Sequence, residues 1–435
     1  MGRFSKQMKN KITGIINDMA DHAELFSENP GHDFTRERSL NFRTMVSLIM
    51  SIGGNSLTKE LYDFAKNGGK EVTPSAFVQQ RDKISDEAFA YLLYEFNSQC
   101  GDTALFAGRY RLLAVDGTVC TYSGYDTDDT YMPNTGNSVN QYHVNALYNL
   151  MNRTYADVII QPNPQANEQK ACWQMAKKTK SSEQVIIISD RGYGGMNLIE
   201  HLNRIENVDY LFRIKDHLWK EMRDLPMTSL DADITLKIRT TQTNADKDAF
   251  ANGEAKWIPG RGKRTKLKSP AWDFETSCEI PVRIIRFKIT DDSYETIATS
   301  LPRDVFSPAL IRKMYFMRWG IETSFRELKY AIGLTSFHAR KAKFIRQEIL
   351  ARIVMYNFCE RIMAKAVIHV GKRKHTYQIN YTMGFYVCRL YFRGMNTDDP
   401  ESEIARYILP VRPGRADRRK MIIKKGAVCF SYRVA

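Results

Sequence analysis

The sequence has few cysteines, seven in 435 residues, and no C-x-x-C pair. The number is odd and the spacing wide, which argues against a disulfide framework and against a structural zinc site. They read as reduced, mostly packed thiols of a cytosolic protein. No apolar run approaches the roughly 18 residues of a membrane span. The start, MGRFSKQMKNKITGIIND, is basic but has no apolar stretch long enough for a secretion signal. No G-x-x-x-x-G-K-[ST], H-E-x-x-H or G-x-S-x-G motif occurs, so P-loop, zinc-protease and serine-hydrolase readings fail.

Acids are in the minority. Lys+Arg number 64 against 49 Asp+Glu, a net charge of +15. Such an excess favours a polyanionic partner, most often nucleic acid, although a basic protein with no such partner also fits the number. Hydrophobic residues are 43% and charged residues 26% of the chain, enough apolar material for real cores. At roughly 150 residues per domain the length suggests about three domains.

The texture changes along the chain. Residues 1–105 read as helical, with helices expected over Phe34–Met50 and Ser56–Ala65, from Thr73-Pro74, and from Ser85-Asp86 to about Asn97. This suits a small DNA-binding bundle and equally any all-α packing unit. Strands follow at Arg111–Val119, Tyr142–Met151, Tyr155–Gln161, Val185–Ser189 and Val208–Ile214, with helices at Ala166–Lys180 and Gly194–Ile205 between the later ones. That order points to a mixed α/β sheet with helices on its faces. Residues 216–306 carry three further strand patterns, TLKIRTTQT, PVRIIRFKIT and ETIATSLP, which read as antiparallel. Between them the loop Lys256–Lys268 holds six basic residues and no acid. It fits either nucleic-acid contact or a solvated surface loop. Long helices are expected from Ser307-Pro308 to Gly333 and over Arg340–Ala366, and Arg412–Arg433 is again strongly basic.

Two acids stand where strands are expected to end. Asp116 follows LLAV and precedes Gly117; Asp190 follows VIIIS and precedes RGYGG. Ligands gather at the carboxyl ends of strands in open α/β sheets, and glycine lets a ligand approach the backbone. Either acid alone also suits an ordinary turn. An aspartyl-phosphatase reading of Asp-Gly-Thr fails, because the position of its nucleophile is Ala114.

The helix after Pro308 adds a third acid. With Tyr315 at zero and about 100° per residue, Arg318 falls at about 300°, Glu322 at about 340° and Lys329 at about 320°. The four share roughly 60° of arc beside an apolar face of Leu310, Met317, Ile321, Phe325, Leu328 and Ile332. An acid flanked by three phosphate-capable groups beside a buried face is a poor design for a solvated surface, and an ion-pair network on that face is the alternative.

Tyr315-x2-Arg318-x3-Glu322-x6-Lys329 resembles the Y-x2-R-x3-E-x6-K signature of bacterial insertion-sequence transposases of the IS-four family, which are DDE recombinases. LLAVDGT and ISDRGYGG resemble that family's first and second Asp motifs, and the resemblance spans roughly Arg109–Asn357. It implies an α/β fold with a ribonuclease H-like catalytic core, residues 106–215 and 307–370, interrupted by a β-rich insertion at 216–306. A helical DNA-binding region at 1–105 and a basic C-terminal region at 371–435 would flank that core. It implies Asp116, Asp190 and Glu322 as catalytic metal ligands, with Tyr315, Arg318 and Lys329 gripping DNA. Three carboxylates without histidine or cysteine suit two Mg²⁺ or Mn²⁺ ions about 3.5–4 Å apart, which activate the nucleophile and stabilise the leaving oxygen. The implied partners are double-stranded DNA, as terminal inverted repeats and target, and a second copy in the synaptic complex. The implied route is cut-and-paste through a hairpin end, in the bacterial cytoplasm at the nucleoid. Trp257 and Trp319 are candidates for stacking on a flipped base. A non-catalytic relative that inhibits transposition, and a structure-specific nuclease with a similar core, are the competing expectations.

Overall fold

The computed structural model describes residues 2–36, 38–133, 138–179, 182–239, 252, 256–257, 272, 278–291, 293–368, 376–395 and 399–411. Most of the basic loop Lys256–Lys268 and all of Arg412–Arg433 lie outside these residues.

Five helices open the chain: α1 (Arg3–Asp21), α2 (Phe42–Ser51), α3 (Leu57–Lys66), α4 (Pro74–Arg81) and α5 (Glu87–Cys100). Their starts are set by capping side chains. Ser56 accepts from the Lys59 amide and Thr73 from the Ala76 amide, with Pro74 at the first helical position. The helix expected from Phe34 begins only at Phe42, because Asn41 caps it by accepting from the Thr44 amide at 2.9 Å. Arg36 and Arg38 lie outside any helix instead.

Ten strands then build one sheet: β1 (Tyr110–Tyr122), β2 (Tyr131–Met132), β3 (Val139–Asn149), β4 (Thr154–Pro162), β5 (Gln184–Ser189), β6 (Val208–Ile214), β7 (Leu230–Arg239), β8 (Lys256–Trp257), β9 (Cys278–Thr290) and β10 (Ser293–Thr299). The first half runs β4-β3-β1-β5-β6: β3 lies antiparallel between β1 and β4, while β1, β5 and β6 are parallel. Three consecutive antiparallel strands, followed by two parallel ones added beside the first, is the strand order of a ribonuclease H-like fold. Two helices cross between the parallel strands, α6 (Glu168–Ala176) before β5 and α7 (Met196–Asn203) before β6. The strands of residues 230–299 continue the same sheet, β10 pairing antiparallel with β6 and β9 joining β10 to β7.

The chain returns as α8 (Pro308–Met317), α9 (Trp319–Glu327), a π-helical turn (Leu328–Ile332) and α10 (Ala342–Met363). A small two-stranded sheet, β11 (Tyr377–Ile379) with β12 (Ile408–Pro410), and the helices α11 (Tyr381–Arg393) and α12 (Pro400–Ile404) complete the described residues. The helix expected from Ser307 to Gly333 is therefore interrupted at Arg318 and again at Leu328. It ends, as expected, at Gly333, whose φ of 93° favours glycine.

Side chains alternate across β1. Leu113 and Val115 pack on one face with α6 and α7, while Leu112 and Ala114 pack on the other. On that second face Leu112 meets Ile311 and Met314 of α8, and Ala114 belongs to the larger core around α9 and α10. The long helix α10 is buried along most of its length. Among the described residues no helix is long and apolar enough to cross a membrane.

Candidate active site

Asp116 does not end its strand. β1 continues to Tyr122 because it stays paired with β3, while its parallel pairing to β5 stops at Ala114 opposite Ile188. Two residues further on each strand bring Asp116 and Asp190 to the same level, just past the point where β5 leaves the sheet. By alternation the Asp116 side chain follows Leu112 and Ala114 to the face that packs α8 and α9. Asp190 caps the 3₁₀ turn Arg191–Tyr193, accepting from the Gly192 amide at 2.9 Å.

The acids feel one another. Burial is the main reason that the Asp116 carboxyl is pushed up to about 6. Its own Gly117 amide, which donates at 2.8 Å, pulls the other way. Asp190 raises it further, Arg318 lowers it, and Glu322 raises it. All three acids proposed from the sequence thus stand in one electrostatic cluster, contributed by β1, by the turn after β5 and by α9.

Arg318, at the junction of α8 and α9, is buried and lies 2.9 Å from Glu322. Its guanidinium also covers the ring of Tyr315, 5.5 Å from the centroid, and that of Trp319 at 5.1 Å. Tyr315 is itself buried, its hydroxyl without a hydrogen-bond partner among the described residues. Trp319 is half-exposed. The side chain of Trp257 lies outside the described residues. Tyr315, Arg318 and Glu322 therefore meet as their spacing predicts. Lys329 sits beyond, in the π-helical turn, and among the described residues no ion pair joins it to Arg318 and Glu322.

Carboxylates as the donor set, with no thiolate among them, suit a hard divalent cation. As the side chains stand, no three acids, histidines or cysteines among the described residues close into a ready-made metal cluster. Glu322 is held by Arg318, so it would have to exchange that partner for an ion.

Sequence reasoning missed one side of the site. His143 of β3 is buried, with Nε2 3.0 Å from Oε1 of Glu168 in the first turn of α6. These two, with Ala166, Asn167, Gln169, Gly192 and Trp272, line a cavity of about 530 Å³ beside Asp190. The signal was a polar alternation along β3, Gln141, His143 and Asn145 on one face.

The Transposase DDE domain matches residues 107–358 of this chain. No curated protein matches it. Among solved structures it is similar to piggyBac transposase in its synaptic complex with hairpin DNA, at 10% identity over 96% of this chain and 88% of that one, with a TM-score of 0.42. The matched segment starts just before β1 and stops inside α10, so it takes in β1, the turn after β5 and α9 together, and the chain belongs to the DDE transposases.

Proposed function

We propose that this protein cleaves the ends of an insertion sequence and joins them to target DNA, with Asp116, Asp190 and Glu322 as its catalytic acids. The observation that supports the reading is that Asp190 and Glu322 both act electrostatically on the buried Asp116, beside the point where β5 leaves β1. Mg²⁺ or Mn²⁺, two ions per site, would be held by the three acids and would supply an activated nucleophile and charge stabilisation at the leaving oxygen. Asp116 and Asp190 are fixed by strand and turn backbone, and each already accepts a backbone amide. Glu322 is the movable member, released when a phosphate takes over the Arg318 guanidinium. Arg318 would then hold DNA beside the scissile bond, Tyr315 would support it from beneath, and Lys329 would contact the backbone further along.

The Y-x2-R-x3-E-x6-K spacing supports placement in the IS-four family, and with it a cut-and-paste route through a hairpin end. Recognition of terminal inverted repeats falls to the helical residues 1–105, and synapsis of two ends requires at least a dimer on DNA. We assign the protein to the bacterial nucleoid on the same reading.

The test is incubation with labelled terminal repeats and Mg²⁺. Wild type is expected to cut at the element end, while Asp116→Ala, Asp190→Ala and Glu322→Ala bind the end but leave it intact. Normal cutting by any one of the three variants overturns the assignment.

A further inference from the structure

The catalytic reading uses three acids, yet a fourth stands beside them. Glu168 lies 3.0 Å from His143 Nε2 on one side and faces the Asp190 turn on the other. Three glycines clear the space. A Cβ on Gly117, the residue after Asp116, would meet His143 Nε2 at 2.2 Å and Glu168 Oε1 at 3.0 Å. One on Gly192 would meet Asp190 Oδ1 at 3.2 Å and Glu168 Oε2 at 3.5 Å. One on Gly195 would meet Gln169 Oε1 at 2.0 Å. Gln169 also donates to the Gly192 carbonyl at 2.9 Å, so the first turn of α6 is clamped onto the turn that carries Asp190.

Helix geometry alone does not account for this. An acid in the first turn favours the helix dipole, and Asn167 already caps α6 by accepting from the Lys170 amide at 2.9 Å. A capping role does not require a buried histidine against the carboxylate, nor a glycine opposite each of its oxygens.

A second observation points to a ligand in the same place. Tyr193, 1% exposed, has a hydroxyl with no hydrogen-bond partner among the described residues. Glu168, Asp116 and Asp190 all act electrostatically on that hydroxyl. Buried hydroxyls are normally satisfied, by protein or by ordered water. A buried hydroxyl with no protein partner, under the influence of these carboxylates, suits an ordered water.

We propose that Glu168, oriented by His143, is a positioning residue of the transposase centre that accepts hydrogen bonds from the water shell of the divalent ion on the Asp190 side. The inference rests on the three-acid reading and extends it. Outer partners of this kind change metal affinity or activity by about 10- to 100-fold when removed.

The experiment compares wild type with Glu168→Gln, His143→Gln, His143→Leu and Asp190→Asn, all as the full chain. Mn²⁺ binding is followed by electron paramagnetic resonance without DNA, and end cleavage by single turnover against Mg²⁺ concentration. If wild type neither binds Mn²⁺ nor cuts, the three-acid reading itself fails. If it does both, Glu168→Gln should weaken Mn²⁺ binding and raise the Mg²⁺ needed for half-maximal cutting, each by about 10- to 100-fold. End affinity and melting temperature should stay near wild type. His143→Leu should behave like Glu168→Gln, and His143→Gln, which keeps a donor near Glu168, should recover most of the loss. Asp190→Asn should abolish cutting outright. Unchanged Mn²⁺ affinity and Mg²⁺ dependence in Glu168→Gln overturn the proposal. Equal loss in both His143 variants also overturns it, because the histidine would then serve packing alone.

Discussion

Arg318 Nη1 and Glu322 Oε1 lie 2.9 Å apart, the guanidinium buried and the carboxylate about a third exposed. The pair joins α8 to α9 and holds the third acid in reserve. An exposed i,i+4 pair contributes little, about 0.3–0.5 kcal/mol. This one is half sunk into the protein, and its arginine also covers Tyr315 and Trp319. On the proposed reading this pair would couple DNA to metal, because an anion that draws Arg318 away would free Glu322.

Arg318→Lys is expected to cut a natural end far more slowly than wild type while melting at nearly the same temperature. Lysine keeps the charge but cannot present two parallel donors to a phosphate. Glu322→Gln should lose metal-dependent cutting yet keep α9, since glutamine is nearly isosteric and a good helix former. Tyr315→Phe should be milder, because only a hydroxyl without a hydrogen-bond partner among the described residues is lost while the ring against Arg318 stays. Single-turnover cleavage with thermal melts as controls separates the three. Wild-type cutting by Arg318→Lys would reduce the pair to a structural link.

Local patterns carried much of this architecture. β6 lies over Val208–Ile214 as its apolar run predicts, and α3 and α4 start at the capping residues Ser56 and Thr73. What local patterns could not carry was set by tertiary contact. Asp116 lies mid-strand because β3 keeps pairing with β1 after β5 has turned away, a fact about neighbours rather than about RLLAVDGTV. The break at Arg318 falls beside Gly320, where a Cβ would meet Leu150 at 3.0 Å, so the position of that turn is tied to the loop after β3. His143 and Glu168 come from separate elements, and only the packing of α6 on the sheet makes them neighbours. The three acids could be proposed from the sequence because their flanking residues resemble fixed motifs; His143 and Glu168 have no such motif.

Asp116 gives a pH dependence that can be read without DNA. Its carboxyl titrates near 3.8 when unperturbed and at about 6 when folded. Between those values the folded protein holds a proton that the unfolded chain has released. Stability is therefore greatest below the lower value and falls as pH rises through the upper one. Asp116→Asn lacks this loss. In metal-free buffer it should be more stable than wild type near neutral pH, on the order of 2–3 kcal/mol, with the difference vanishing toward about pH 4. Melting curves with a chelator across that range measure it. Equal pH profiles for the two proteins would mean that Asp116 is not held under charge stress.

The +15 net charge predicts steep salt dependence of DNA binding. With six to ten phosphate contacts, affinity should fall by about 10³- to 10⁵-fold between 50 and 200 mM salt. Replacing the basic residues of Lys256–Lys268 with glutamine should flatten the plot of log affinity against log salt by nearly one unit for each phosphate no longer neutralised. Fluorescence anisotropy on a terminal repeat gives the slope, and an unchanged slope would remove that segment from the DNA interface.

The last prediction concerns how the first helices are tied to the catalytic half. Arg81, at the end of α4, is buried against α10, with Nη1 2.9 Å from Glu348 Oε1 and Nε donating to Gln347 Oε1 at 2.9 Å. Glu348 also meets Arg352 at 3.0 Å and His338 at 3.2 Å, and these partners hold its carboxyl well below the usual range despite its burial. Removing one member of a buried pair leaves the other uncompensated, at about 3–5 kcal/mol. The two halves should not cost the same. Arg81→Met leaves Glu348 with Arg352 and His338, whereas Glu348→Gln removes the one negative charge that faces both buried guanidinium groups. Glu348→Gln is therefore expected to lower the denaturant midpoint more than Arg81→Met. Arg81→Met should instead free α4 locally, seen as faster limited proteolysis within residues 57–100 at an intact sheet. Equal midpoints, or cleavage spread evenly over the chain, would show that Arg81 supports the fold as a whole and does not specifically tether α4 to α10.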